Sequence, residues 1–194
     1  MWITYLNDDK TYKFNSFEEI INYDNVVYLS CTYNNLSSLP KLPKILRELY
    51  CNNNNLTELP KLPNSLQILD CSYNPFIKLP DELPNGLLKL WCTNNQLTKL
   101  PKLPELLIEL VCWYNQLISL PKLPNSLEAL LCGNNQLKSL PKLPNSLKEL
   151  NCCKNQLISL PELPNLIKGF GFDFNQFLEK NKYTYLNIFN YIYF

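Results

Sequence analysis

Cysteine returns along this chain at 31, 51, 71, 92, 112, 132 and 152, in steps of 20 residues except for one of 21. Three residues after each stands asparagine, at 34, 54, 74, 95, 115, 135 and 155, and Asn175 continues the series where Phe172 takes the place of the cysteine. The eight units follow L-x-x-L-x-C-x-x-N-x-L-x-x-L-P-x-L-P-x-x, plainest from Leu127 through Leu130, Cys132, Asn135, Leu137, Leu140, Pro141, Leu143 and Pro144. A unit this short cannot bury its own apolar side chains. A core arises only when successive units stack, so the period demands a solenoid.

Within the unit, side-chain alternation puts the last Leu and the Cys of L-x-x-L-x-C on one face of a short strand, and stacked coils pair those strands in parallel about 4.8 Å apart. The asparagine after the strand offers both an acceptor and a donor, so a buried column of asparagines can satisfy the backbone of successive turns. Two prolines in the return segment fix φ and favour an extended, polyproline-like run over a helix.

This pattern resembles the leucine-rich-repeat family, in its shortest class, whose Leu-Pro-x-Leu-Pro segment is found in YopM-like bacterial effectors and in similar proteins of amoebal giant viruses. The chain departs from the usual pattern by placing Cys where Leu, Val or Ile is common. The resemblance implies an α/β repeat class fold: a solenoid with a parallel β-sheet on its concave face, an extended Pro-rich outer face and little helix. It also implies a non-enzymatic module that binds a protein partner on the concave face, in a viral or bacterial protein acting inside a host cell. Some effectors of this class carry a ubiquitin-ligase domain after the repeats. Residues 181–194 alone follow the last repeat here, so that activity is not implied.

The expected organisation is an N-terminal cap over residues 1–25, eight repeats over 26–180 and a C-terminal cap over 181–194, because a solenoid exposes raw core at both ends unless something covers it. In the first cap, residues 2–6 and 11–14 suit a hairpin, and Ser16-Phe17-Glu18-Glu19 is a capping box that predicts a short helix over 16–23. Phe170, Phe172, Phe174 and Phe177 and the aromatic tail offer apolar area at the far end. The 21-residue step comes from one added residue in Leu79-Pro80-Asp81-Glu82-Leu83-Pro84, where the outer side should bulge, and Pro75 makes the third repeat irregular in a second place.

Composition narrows the function classes. A formal charge of +1, from 18 basic and 17 acidic residues, gives no net field to draw the molecule to nucleic acid or to an anionic membrane. The N-terminus lacks the basic start and apolar run of a signal peptide, and no apolar stretch approaches the ~20 residues of a membrane span, so a cytoplasmic protein is expected, in the host cytoplasm if viral or effector. On that reading the sequons at Asn35 and Asn55 are incidental. Seven of the eight cysteines share one inward position, and a line of thiols is not the tetrahedron zinc requires. Cys153, one residue beyond, is expected on the outer face of the sheet as an exposed thiol. With no histidine in the chain, the commonest activating base for a Cys or Ser nucleophile is missing. No catalytic residue, metal or cofactor is assigned.

The informative positions are those the repeat leaves free. On the concave face the central column reads Ser30, Tyr50, Asp70, Trp91, Val111, Leu131, Asn151 and Gly171, with Tyr73, Trp113 and Tyr114 just beyond it and Glu48, Lys89 and Glu109 as a charged rim. Exposed aromatic clusters mark interfaces. Tyr50, Tyr73, Trp91, Val111, Trp113, Tyr114 and Leu131 are therefore the candidate binding residues, in a monomer or weakly self-associating module. The alternative is a nucleic-acid or anionic-ligand binder using the outer lysine ridge of Lys41, Lys61, Lys102, Lys122 and Lys142. That ridge lacks interleaved arginines and aromatics, which places nucleic acid behind protein as a partner.

Overall fold

The computed structural model describes residues 1–8 and 10–172, and these form one ten-stranded sheet in the order β10-β9-β8-β7-β6-β5-β4-β3-β1-β2. β1 (Trp2–Tyr5) and β2 (Thr11–Lys13) are antiparallel; the eight strands that follow are parallel. They are β3 (Val26–Ser30), β4 (Glu48–Tyr50), β5 (Ile68–Asp70), β6 (Lys89–Trp91), β7 (Glu109–Val111), β8 (Ala129–Leu131), β9 (Glu149–Asn151) and β10 (Gly169–Gly171). The central residue of each strand faces its counterpart in the next: Leu29, Leu49, Leu69, Leu90, Leu110, Leu130, Leu150 and Phe170 stand in one ladder. From Leu29 to Leu150 that ladder is fully buried, as is the cysteine two residues on in every coil from Cys31 to Cys152. The solenoid, with almost no helix, is the architecture the period demands.

Each coil is closed by two further ladders. In the return, the leucine before the strand donates its N–H to the carbonyl of the second proline, as Leu46 does to Pro43 and Leu127 to Pro124, which makes a tight turn of the four residues from that proline to the leucine. Where that turn carries a serine, at 65, 126 and 146, the hydroxyl reaches into the preceding coil: Ser65 Oγ donates to the carbonyl of Leu46 at 2.7 Å and Ser126 Oγ to that of Leu107 at 2.7 Å. On the other side of the strand, the repeated asparagine does the joining. Asn115 Nδ2 donates to the carbonyls of Cys92, Cys112 and Trp113 at 2.9, 3.2 and 3.1 Å, while its Oδ1 accepts the Leu97 N–H at 3.0 Å. Asn54, Asn74, Asn95, Asn135 and Asn155 are buried in the same way, but Asn34 is exposed. It belongs to the first coil, so no earlier cysteine carbonyl lies in reach and its amide turns to Thr32 instead. Asn175 lies outside the described residues.

At the N-terminus the hairpin of β1 and β2 pairs along the edge of β3, and Met1, Ile3 and Ile20 add to the core against Val26 and Leu29. The helix expected over residues 16–23 is not formed. That stretch is turns and bends, followed by a 3-10 turn at Tyr23–Asn25. Glu19 Oε2 accepts the N–H of Asn15 at 2.8 Å, one residue before the expected cap, and a segment this short cannot repay helix nucleation while Phe17 and Ile20 are both drawn toward the core. The residues of the C-terminal cap expected over 181–194, with Phe174 and Phe177, lie outside the described residues. In the third repeat Phe76 replaces the usual leucine and is fully buried, its N–H donated to Asn95 Oδ1 at 3.2 Å.

Candidate binding surfaces

Alternation leaves the first and third residues of each strand on the open face of the sheet, so that Tyr50, Asp70, Trp91, Val111 and Leu131 form one half-buried column. Its aromatic members are tied together. Tyr28, from the neighbouring column opposite Glu48, packs on Tyr50 with ring centroids 5.4 Å apart, and Tyr50 meets Trp91 at 6.2 Å although Asp70 stands on the strand between them. Two strand spacings are roughly 9.6 Å, so both rings lean inward over Asp70. Polar edges are held as well: Tyr50 Oη donates to Glu48 at 3.1 Å and Trp91 Nε1 to Glu109 at 2.8 Å. Lys89 lies over the Trp91 ring at 5.7 Å and 3.2 Å from Glu109. Burial raises the Asp70 carboxyl above its ordinary range, against the pull of the Ser72 N–H and hydroxyl. Glu48, Lys89 and Glu109, expected as a rim, are thus clamps on the aromatic column. Trp91 is woven into its surroundings more tightly than a bare surface anchor.

Tyr73 and Tyr114 are not on the sheet face. They occupy the turn that follows each inward cysteine, together with Tyr33, which strand alternation alone does not pick out. In each coil the second residue after the inward cysteine takes the left-handed conformation, Tyr33, Asn53, Tyr73, Asn94, Tyr114, Asn134 and Lys154 with φ of 51–57°, and in the first coil Asn35 does so as well, at 53°. Asparagine visits this region readily, and a bulky side chain does so at a cost. The backbone is held there by the next coil, as the N–H of Tyr73 reaches the Thr93 carbonyl at 2.7 Å and that of Asn94 the Trp113 carbonyl at 2.9 Å. The tyrosines stand out into solvent, exposed by 77% at Tyr33, 49% at Tyr73 and 50% at Tyr114. Trp113, in the same turn, packs on Tyr114 with centroids 6.3 Å apart and buries an indole N–H that has no hydrogen-bond partner. Replacing Tyr73 with asparagine is expected to raise stability by up to about 1 kcal/mol, since it relieves a left-handed tyrosine without opening the core. Thermal unfolding that shows a loss instead would mean that the ring is a packing element.

The lysines of the return segments, Lys41, Lys61, Lys102, Lys122 and Lys142, are all exposed. Between Lys61 and Lys102 the inserted residue pushes out Asp81 and Glu82, and a hollow of about 580 Å³ opens there, lined also by Leu83, Pro84 and Glu105. The ridge is therefore broken by carboxylates at its middle.

The thiols divide in two. Cys31, Cys51, Cys71, Cys92, Cys112 and Cys132 are buried and not in disulfides, and burial pushes the Cys31 thiol up to about 12 and the others well above their ordinary value. Cys153 is half-buried rather than open, because its sulfur lies 3.0 Å from where a β-carbon on Gly171 would stand. Among the described residues no group of three or more His, Cys, Asp or Glu side chains is placed to hold a metal ion, and no helix is long and apolar enough to cross a membrane.

A family model described as Leucine Rich Repeat matches residues 65–85. Among solved structures, the chain is similar to YopM from Yersinia enterocolitica WA-314, with 43% identity, 78% of this chain and 34% of that one covered and a TM-score of 0.77. It is similar to the leucine-rich effector protein YopM from Yersinia pestis, with 38% identity, 77% and 49% coverage and a TM-score of 0.65. The functional domain of InlJ from Listeria monocytogenes, which includes a cysteine ladder, matches with 27% identity, 78% and 35% coverage and a TM-score of 0.64. The aligned part of the chain thus spans between 34% and 49% of these solved chains. No curated protein matches it.

Proposed function

The chain is a leucine-rich-repeat protein with effector-like relatives, and from that premise we propose that it is a non-enzymatic module that binds a protein partner across the open face of its sheet, inside a host cell. The observation that carries this is the aromatic cluster of Tyr28, Tyr50 and Trp91 on the open face. Large rings pre-set by neighbouring carboxylates contribute contact area at small entropic cost, which is the profile of an interface centre. Val111 and Leu131 continue the column as apolar contacts, and Trp113, Tyr73 and Tyr114 border it.

The test is the double variant Tyr50→Ala/Trp91→Ala, immobilised beside the wild type for capture of partners from host-cell lysate. Capture is expected to fall about thirtyfold or more, the scale of a lost hot spot. Stability is expected to fall by only about 1–2 kcal/mol for the lost ring contact. Changing Lys102, Lys122 and Lys142 together to Gln should leave capture intact, because exposed charges away from a desolvated surface contribute little. If the lysine variant lost binding in a salt-sensitive way while the aromatic variant kept it, the outer ridge would be the site and the partner anionic.

A further inference from the structure

The turn tyrosines alternate with asparagine coil by coil: Tyr33, Asn53, Tyr73, Asn94, Tyr114, Asn134. Asparagine suits the left-handed backbone at every one of these positions, so packing does not call for tyrosine at alternate coils. Such an outlier points toward use rather than stability.

The spacing of the rings names the ligand. Tyrosines two coils apart recur about every 9.6 Å along the solenoid. A polyproline II helix has three residues per turn and rises about 3.1 Å per residue, so the same face returns about every 9.3 Å. Its carbonyls make no internal hydrogen bonds and accept from outside donors, and aromatic rows with interleaved polar donors are the surfaces on which such segments dock. Here the intervening Asn53 and Asn94 place side-chain amides between the rings, and a hollow of about 320 Å³ beside Tyr73 is lined by Asn54, Pro75, Asn94 and Gln96.

Charge agrees. In the five residues after each inward cysteine there is no charged side chain until Lys154, in a chain that is 18% charged overall. A neutral strip rewards a neutral partner and discriminates against acidic or basic peptides. Successive turns are also bonded backbone to backbone, so the strip is rigid before any ligand arrives.

We propose that the edge carrying Tyr33, Tyr73 and Tyr114 is a docking strip for an uncharged, proline-rich segment in the polyproline II conformation, running along the solenoid axis with a proline at every third residue on the rings. The proposal rests on the reading of this chain as a protein-binding module and adds the chemistry of the partner and a second surface.

The probe is decaproline, with a ten-residue Gly-Ser peptide as the control, titrated into the full chain and followed by calorimetry and by the tyrosine ring resonances. Decaproline is expected to bind and the Gly-Ser peptide not to. A peptide with prolines at every third position should match decaproline, and one with prolines at every second position should be weaker. Tyr33→Asn/Tyr73→Asn/Tyr114→Asn should bind at least tenfold more weakly while its thermal unfolding is unimpaired, since three other coils already carry Asn there. No binding of decaproline, or equal binding by the triple variant, would overturn the proposal. So would self-association of the wild type that the triple variant lacks and decaproline cannot displace, which would make a second copy the occupant. These outcomes are separable from failure of the broader reading, because the open-face variant Tyr50→Ala/Trp91→Ala leaves the tyrosine strip untouched. Capture that depends on that variant while decaproline fails removes the strip alone.

Discussion

Between about pH 9 and about pH 11 the folded chain is expected to unfold along an unusually steep curve, driven by the cysteine column. An unfolded thiol releases its proton near ~8.5. In the fold, burial pushes Cys31 up to about 12 and Cys51, Cys71, Cys92, Cys112 and Cys132 well above their ordinary value, so the folded state keeps protons that the unfolded state gives up. The stability these groups contribute is thus fully present below the unfolded pKa and lost as pH rises toward the folded one. Each thiol costs about 1.4 kcal/mol per pH unit across that window, so six cost roughly 8 kcal/mol per unit. Set against a total stability on the order of 5–15 kcal/mol, that places the midpoint near about pH 10. Thermal and circular-dichroism unfolding in reductant, from neutral to alkaline pH, measures it. Cys92→Ala/Cys112→Ala/Cys132→Ala should be less stable at neutral pH, by about 1 kcal/mol for each site, yet should lose stability with pH about half as steeply. A wild-type curve as shallow as that of the variant would show that the column does not hold its protons.

Asn115→Ala is expected to destabilise the solenoid by roughly 3–5 kcal/mol, far more than the loss of a few side-chain atoms would suggest. Removing the amide strands the Leu97 N–H, which has Asn115 Oδ1 as its acceptor, and takes a donor from the carbonyls of Cys92, Cys112 and Trp113. The cost lies in buried backbone left unmatched, and it falls at the joint between coils. Asn34→Ala is the control, since that side chain is exposed and bonds only within its own turn to Thr32. It should change stability by no more than about 0.5 kcal/mol. Equal effects in denaturant titrations of the two variants would refute the account of the asparagine ladder.

The frame of the molecule was legible because strand alternation and a fixed period are local rules. Leu110 and Cys112 inward, Glu109 and Val111 outward, and Asn115 buried at the turn all follow from the spacing within one unit. What the period did not reveal is where the backbone leaves the strand. Tyr73 and Tyr114 look like strand neighbours of the inward cysteines, but the chain turns after Trp113 and Ser72, and φ becomes positive at the next residue. The alternation of Tyr and Asn just before the buried asparagine was a signal, since asparagine is enriched in left-handed turns and tyrosine is not. The capping box at Ser16 misled because a local helix signal was outweighed by the pull of Phe17 and Ile20 toward the core. Contacts that cross repeats, such as Tyr50 reaching over Asp70 to Trp91, depend on rotamers that no periodicity encodes.

From Cys51 to Cys152 the joints between coils share a leucine ladder, a cysteine beside it and a buried asparagine that clasps the coil before, and Ser65, Ser126 and Ser146 add a second clasp where the turn carries serine. A cut at one of these cysteines rejoined at another would therefore restore the leucine ladder and the asparagine clasp, whichever two of these coils it brought together. Recombination between the near-identical units can lengthen or shorten the molecule by whole coils without posing a new folding problem. The surface can be reshuffled in the same stroke, because strand and turn residues travel with their coil. Only a fractional change violates this modularity, and the single extra residue beside Asp81 shows the outcome: the joint is preserved and the surplus is expelled as a bulge on the outer side.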